Sequence, residues 1–166
     1  FGAFYGGWQN SYYGEITNVV LENCDITGGK CTGGIVGIMY DYGGRVTNCK
    51  VSGVIRVGND LSDDSNANRH GGIVGECCKY WCGGGTVENC INIADVTGEG
   101  VFHGGIVGYI SDNFDVSNCF NAGVVEGTSY VGSIMGGYTG KTLTNNYHTA
   151  GTTGGVRSRS EERVSR

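Results

Sequence analysis

The sequence has no proline, only two methionines, and charged residues at just 16% of its 166 positions. No apolar run approaches the ~18 residues that a membrane-spanning helix needs, and no N-terminal leader pattern is visible. Helical hydrophobic periodicity is missing throughout, and the 33 glycines would each cost about 1 kcal/mol inside a helix. A helical repeat is thereby excluded. The net charge of −5 is unevenly spread. Residues 157–166 hold four arginines against two glutamates, which leaves the body with seven basic and fourteen acidic residues. So acidic a body argues against nucleic acid and against an anionic membrane as partners.

What is present is glycine without a collagen period, in a chain that is 39% hydrophobic. That content is too high for disorder, so the glycines must serve turns and close backbone approaches in a folded chain. One block recurs as Gly33-Gly34-Ile35-Val36-Gly37, Gly71-Gly72-Ile73-Val74-Gly75 and Gly104-Gly105-Ile106-Val107-Gly108. A weaker copy is Gly132-Ser133-Ile134-Met135-Gly136, and Gly2-Ala3-Phe4-Tyr5-Gly6 is read as a degenerate one. A second block alternates with the first: Leu21-Glu22-Asn23-Cys24, Val46-Thr47-Asn48-Cys49, Val87-Glu88-Asn89-Cys90, Val116-Ser117-Asn118-Cys119, and finally Leu143-Thr144-Asn145-Asn146. Short apolar runs bounded by glycine and asparagine read as strands of three to five residues. Three such strands per unit of roughly 30 residues match one coil of a solenoid.

The fold expected is all-β, a parallel β-solenoid of about five coils over residues 1–152. A polar basic tail, 153–166, would lead to a further part of a parent protein. Stacking predicts columns: Ile35, Ile73, Ile106 and Ile134 with Phe4 below; Leu21, Val46, Val87, Val116 and Leu143; and Ile55, Val96 and Val125. Asn23, Asn48, Asn89 and Asn118 would turn a corner, where asparagine tolerates left-handed backbone angles and its amide can bond the next asparagine. Cys24, Cys49, Cys90 and Cys119 would stack as small buried thiols. Gly28, Gly53, Ala94, Gly123 and Ala150 would fit a tight bend.

Other residues invite chemistry. Cys77 or Cys78 with Cys82 could close a loop disulfide, plausible outside the cell. The Cys-Cys-x-x-x-Cys spacing fits no familiar zinc pair, so no metal is expected there. Asp60, Asp63, Asp64, Asn66 and Asn68 offer hard oxygen ligands but match no calcium-loop order, and read as a solvated loop. His70 and His103 precede equivalent Gly-Gly blocks and would stack as a structural pair. Neither has a nucleophile signature beside it, and no cofactor or catalytic residue is assigned. Tyr40, Asp41, Tyr42, Tyr80, Trp81, Tyr109 and Tyr138 follow the Gly-Gly-Ile-Val-Gly blocks. They would align along one edge, where aromatic faces beside amides and carboxylates suit sugar binding.

The Gly-Gly-Ile-Val-Gly blocks followed by Val-x-Asn-Cys resemble the GLUG-motif repeats of bacterial surface and secreted proteins, which occur in adhesin-like proteins and beside some immunoglobulin A peptidases. The resemblance implies an extracellular β-solenoid within a larger bacterial protein and no activity of its own. The rigid stack and the lack of a catalytic constellation lead to the expectation of a non-enzymatic repeat module acting as an adhesin stalk or binding scaffold, with glycans, a host or cell-surface protein and neighbouring domains of the parent chain as partners. The peptidase motif H-E-x-x-H is absent, since His70, His103 and His148 are followed by Gly, Gly and Thr. The alternative is a carbohydrate-binding or carbohydrate-degrading β-helix, or a repeat region flanking a secreted peptidase. A degrading enzyme would need paired carboxylates, and none repeats at useful spacing.

Overall fold

The computed structural model describes residues 1–5, 14–40, 44–58, 68–78, 84–111, 113–139, 143–149 and 163–164. Every strand pairing among them is parallel, and each strand pairs with its copy one coil away. This is the solenoid that the repeat predicts, with four strands per coil where the sequence suggests three. Sheet I holds Ala3–Tyr5, Val36–Tyr40, Val74–Cys78, Val107–Ser111 and Met135–Thr139. Sheet II holds Glu15–Thr17, Arg45–Thr47, Gly85–Glu88, Phe114–Ser117 and Leu143–Thr144. Sheet III holds Val20–Gly28, Lys50–Val57, Ile91–Asn92 with Asp95–Gly98, Phe120–Asn121, Tyr147–His148 and Arg163–Val164. Sheet IV, the one missed, consists of the short strands Cys31–Gly33, Arg69–Gly71, Phe102–Gly104 and Val131–Gly132. These strands overlap the start of each Gly-Gly block, which hides them.

The core is a set of columns. Ile35, Ile73, Ile106 and Ile134 are fully buried and tied by backbone bonds of 2.9–3.0 Å from each amide to the carbonyl of the next isoleucine. Phe4 is not below them: it pairs with Met39, at the foot of the column Met39–Cys77–Ile110. Gly2 likewise sits beside Gly37, the last glycine of its block. Ile26, Ile55, Val96 and Val125 form another column.

The first coil departs from the block alignment. Ile16 pairs with Val46 and Thr17 with Thr47, so Asn18 and Val19, not Asn23 and Cys24, precede Asn48 and Cys49 in their columns. Leu21 instead lies over Val51, and the register then shifts before Cys24 meets Gly53. Asn23, at φ 52°, sits in this bulge, where one extra residue is absorbed. Cys24 therefore joins the small-residue column of Gly53, while Gly28 stacks on Val57.

The corner between sheets II and III is made by Asn18, Asn48, Asn89, Asn118 and Asn145, all at φ 54–59°. That left-handed region costs other L-residues roughly 1–2 kcal/mol. The turn aims these side chains outward, so the expected amide ladder is not built here. It appears one strand later, inside the core: Asn92 Nδ2 donates to Asn121 Oδ1 at 2.8 Å, and each amide also closes a loop on its own chain two residues on.

Cys49, Cys90 and Cys119 are buried, and each thiol donates to the carbonyl two residues before it and, more weakly, to a sheet II carbonyl of the preceding coil. Asn146 takes the next place. Its Oδ1 accepts the Cys119 N–H at 2.9 Å, as Cys119 Sγ accepts the Cys90 N–H at 3.5 Å, and its Nδ2 donates to Val116 O at 2.9 Å. No disulfide joins the described cysteines.

Candidate functional site

Sheets IV and I meet at a sharp re-entrant corner, and the outer residues of the two sheets face each other across it. Sheet IV contributes the column Cys31, Arg69, Phe102 and Tyr130; sheet I contributes Ile38, Glu76, Tyr109 and Gly137. Gly75 makes the approach feasible. A Cβ there would lie 2.5 Å from Gly37 O and 2.8 Å from Thr32 N, so backbone is packed on both sides.

At the lower end of this notch Glu76 is buried. Its carboxylate accepts from the Arg69 guanidinium, with which it forms an ion pair, from the Cys78 thiol, and from the Cys31 thiol at 3.3 Å. Burial, and then the neighbouring carboxylate, pushes both thiols up to about 12. They are therefore protonated donors at neutral pH and poor nucleophiles, because the thiolate is the reactive form. The arrangement holds a charge pair in place and activates no group.

At the upper end the notch turns aromatic. Arg69 Cζ lies 4.4 Å over the Tyr109 ring, Phe102 packs against Tyr109 at 4.8 Å, and Tyr130 stacks on Phe102 at 4.9 Å. Tyr130 is 46% exposed and holds φ at 51°, a left-handed conformation that a bulky residue adopts only under constraint. One face of its ring rests on Phe102, which leaves the rest of the ring to solvent. Sequence reasoning does not find Phe102 or Tyr130, because neither belongs to a repeated block.

The expected aromatic edge is not one edge. Tyr40 pairs with Tyr5 and Cys78, Tyr109 with Glu76 and Gly137, and Tyr138 with Ile110, three different columns. Counting from the Gly-Gly block explains this: the three tyrosines follow its first glycine by seven, five and six residues. Asp41, Tyr42, Tyr80 and Trp81 lie outside the described residues, as do Cys82, Ala150 and the polar loop through Asp60, Asp63, Asp64 and Asn66. Cys77 and Cys78 carry thiols, and Cys77, fully buried, is pushed well up by that burial.

His70 and His103 pair in register inside the core, with Thr32 and Val131 in the same column. Their rings stand 5.1 Å apart and are fully buried, and none of the four ring nitrogens makes a hydrogen bond. Burial lowers His70 to about 3, helped by its neighbour, and His103 to about 4, where the nearby Gly100 carbonyl pulls the other way and is outweighed. Both are neutral at pH 7. Among the described residues, no group of three or more His, Cys, Asp and Glu side chains could hold a metal ion.

Residues 28–57 match the family model of the GLUG motif, a span that runs from the end of the first sheet III strand through the whole second coil to the end of its sheet III strand. Neither the curated proteins nor the solved structures contain a match to this chain.

Proposed function

We propose that this chain is a non-enzymatic repeat module of a bacterial surface or secreted protein, a rigid spacer that presents a carbohydrate-binding platform on its side. The observation that carries the reading is the parallel register, which resumes after the Asn23 bulge of the first coil and through which a motif-bearing coil is copied above and below with the same core columns. Such a stack fixes the outward side chains without any of them having to move. Support for a passive role comes from the chemistry of the groups that could have been catalytic. The notch thiols are held protonated, and the two core histidines are sealed from solvent.

The platform is Tyr130 on Phe102 and Tyr109, beside the Arg69–Glu76 pair. Aromatic faces of this kind pack on the apolar faces of sugar rings, while adjacent polar groups take hydroxyls. The folded chain is expected to bind a subset of a broad glycan panel, and Tyr130→Gly should abolish that binding. Glycine relieves the φ 51° strain, so the same variant should keep or slightly raise the thermal midpoint. Loss of binding without loss of stability assigns the site; binding that survives the change removes the platform from the reading. A folded chain that binds no glycan leaves the spacer role alone.

A further inference from the structure

The imidazole pair and the aromatic platform are two sides of the same strands. In Arg69–Gly71 and Phe102–Gly104 side chains alternate across the backbone, so Arg69 and Phe102 face the notch while His70 and His103 face the core. Tyr130 and Val131 repeat the arrangement one coil on. Sheet I leans on the same backbone: Cβ atoms at Gly108 and Gly136 would press on the backbone nitrogens of His70 and His103. Nothing in the fold requires imidazoles here, since Thr32 and Val131 fill the column in the coils below and above. Four buried ring nitrogens without partners destabilise the folded state, a cost that a purely structural column would avoid.

The pair is also set where a charge cannot stay. The rings face each other at 5.1 Å, and Gly100 and Gly127 close over His103. The inward residues of the adjoining strands, Val57 in sheet III and Val74 and Val107 in sheet I, are buried and apolar. Lys30, Glu99 and Glu126, the charged residues of this corner, are exposed, and the Glu76 carboxylate lies across the strand with Arg69. Among the described residues no carboxylate stands ready for an imidazolium. We propose, resting on the reading of Tyr130, Phe102 and Tyr109 as a glycan platform, that the pair is an acid-operated catch on that site. As His70 and His103 each take up a proton, their two strands leave the core, the notch comes apart and a bound sugar is released.

The strands concerned are easily opened. Sheet IV is built of strands of only two or three residues, and local opening favours segments so lightly held. Outside the core an imidazole takes its proton near pH 6.5, and each one favours the opened strands about tenfold more per pH unit below that. At about pH 4.5 the gain is roughly a hundredfold for each histidine.

Amide exchange of the whole chain, resolved by residue at pH 7 and pH 4.5 and corrected for the intrinsic rate, tests the opening without any sugar. The Phe102 and His103 amides, bonded to Asn68 O and Tyr130 O, should lose at least about a hundredfold of protection. At pH 4.5 they should exchange at least about tenfold faster than the Asn89 and Asn118 amides of the corner between sheets II and III. His70→Thr with His103→Val, folded by its far-ultraviolet spectrum at pH 7, should lose less than about tenfold. Protection that does not fall, exchange no faster at Phe102 and His103 than at Asn89 and Asn118, or an equal fall in the variant each overturns the proposal. A glycan panel at the same two pH values separates the catch from the platform: sugars captured at pH 7 should be released at pH 4.5 by the parent and kept by the variant. Capture by the parent at both values overturns the catch. No capture at pH 7 overturns the glycan reading, and the exchange result alone then decides whether the notch opens.

Discussion

A neutral, buried imidazole pair makes stability depend on acidity in a direction that can be worked out. Both folded-state values, about 3 for His70 and about 4 for His103, lie below the ordinary 6.5. The unfolded chain therefore binds protons that the folded chain refuses, so stability is full above about pH 6.5 and falls as the pH drops toward those lower values. Each histidine costs about 1.4 kcal/mol per pH unit in that window, so roughly 4–5 kcal/mol should be lost together by pH 4.5. Urea unfolding at pH 7 and pH 4.5 measures it. The column itself supplies a control, since Thr32 and Val131 occupy the same place in neighbouring coils. His70→Thr with His103→Val should flatten the profile between those two pH values; a profile of unchanged steepness would put the proton uptake on other groups. The equivalence of the two histidines is legible in the sequence from their common place before Gly-Gly. Their inward direction is not, because nothing in the residue type says that a histidine shares a column with threonine and valine.

At the scale of the strand, the corners carry the geometry. The notch exists because sheet I approaches sheet IV with only backbone between them, and Gly75 is one of the glycines at which that contact is close. Gly75→Ala must push a methyl against Gly37 O and Thr32 N, neither of which is a flexible side chain that can swing away. The expected result is a loss of about 1–3 kcal/mol, as for other overpacked interiors, read as a fall in the urea midpoint. A loss under about 1 kcal/mol would mean that the two sheets are free to separate. Elements built from repeated chemistry, such as the isoleucine column or the Asn48, Asn89 and Asn118 corner, can be read directly from the chain. Elements built from unlike residues cannot. Cys31, Arg69 and Phe102 stack in one column yet share no property, so sheet IV and the notch emerge only from pairing. The first coil misleads for the opposite reason: Asn23-Cys24 looks more like Asn48-Cys49 than Asn18-Val19 does, but it sits in a bulge.

Across the whole molecule, each coil is held by its immediate neighbours, so a defect should matter according to where it lies. Ile73 has a coil on both sides and Ile134 stands in the last full isoleucine layer described. Truncating either to alanine costs about 2–5 kcal/mol in transfer and cavity terms. The Ile73→Ala change should lower amide exchange protection in coils on both sides of it, whereas Ile134→Ala should loosen mainly the upper coils. Equal loss of protection everywhere in both variants would show the stack to unfold as one unit. The solenoid class was readable because stacking demands that the same small vocabulary be repeated; the use of the outer faces was not, since only the register reveals which apolar residues point away from the core.

The substitution of Asn146 into the thiol column reaches further than one position. A carboxamide and a thiol share no ancestry of shape, yet each donates a hydrogen bond to a sheet II carbonyl and accepts one from a backbone N–H at the same point of the lattice. The repeat is thus written in a grammar of donors and acceptors in which chemically different words are synonyms. Further layers of such an array can keep perfect syntax after their spelling has drifted past recognition.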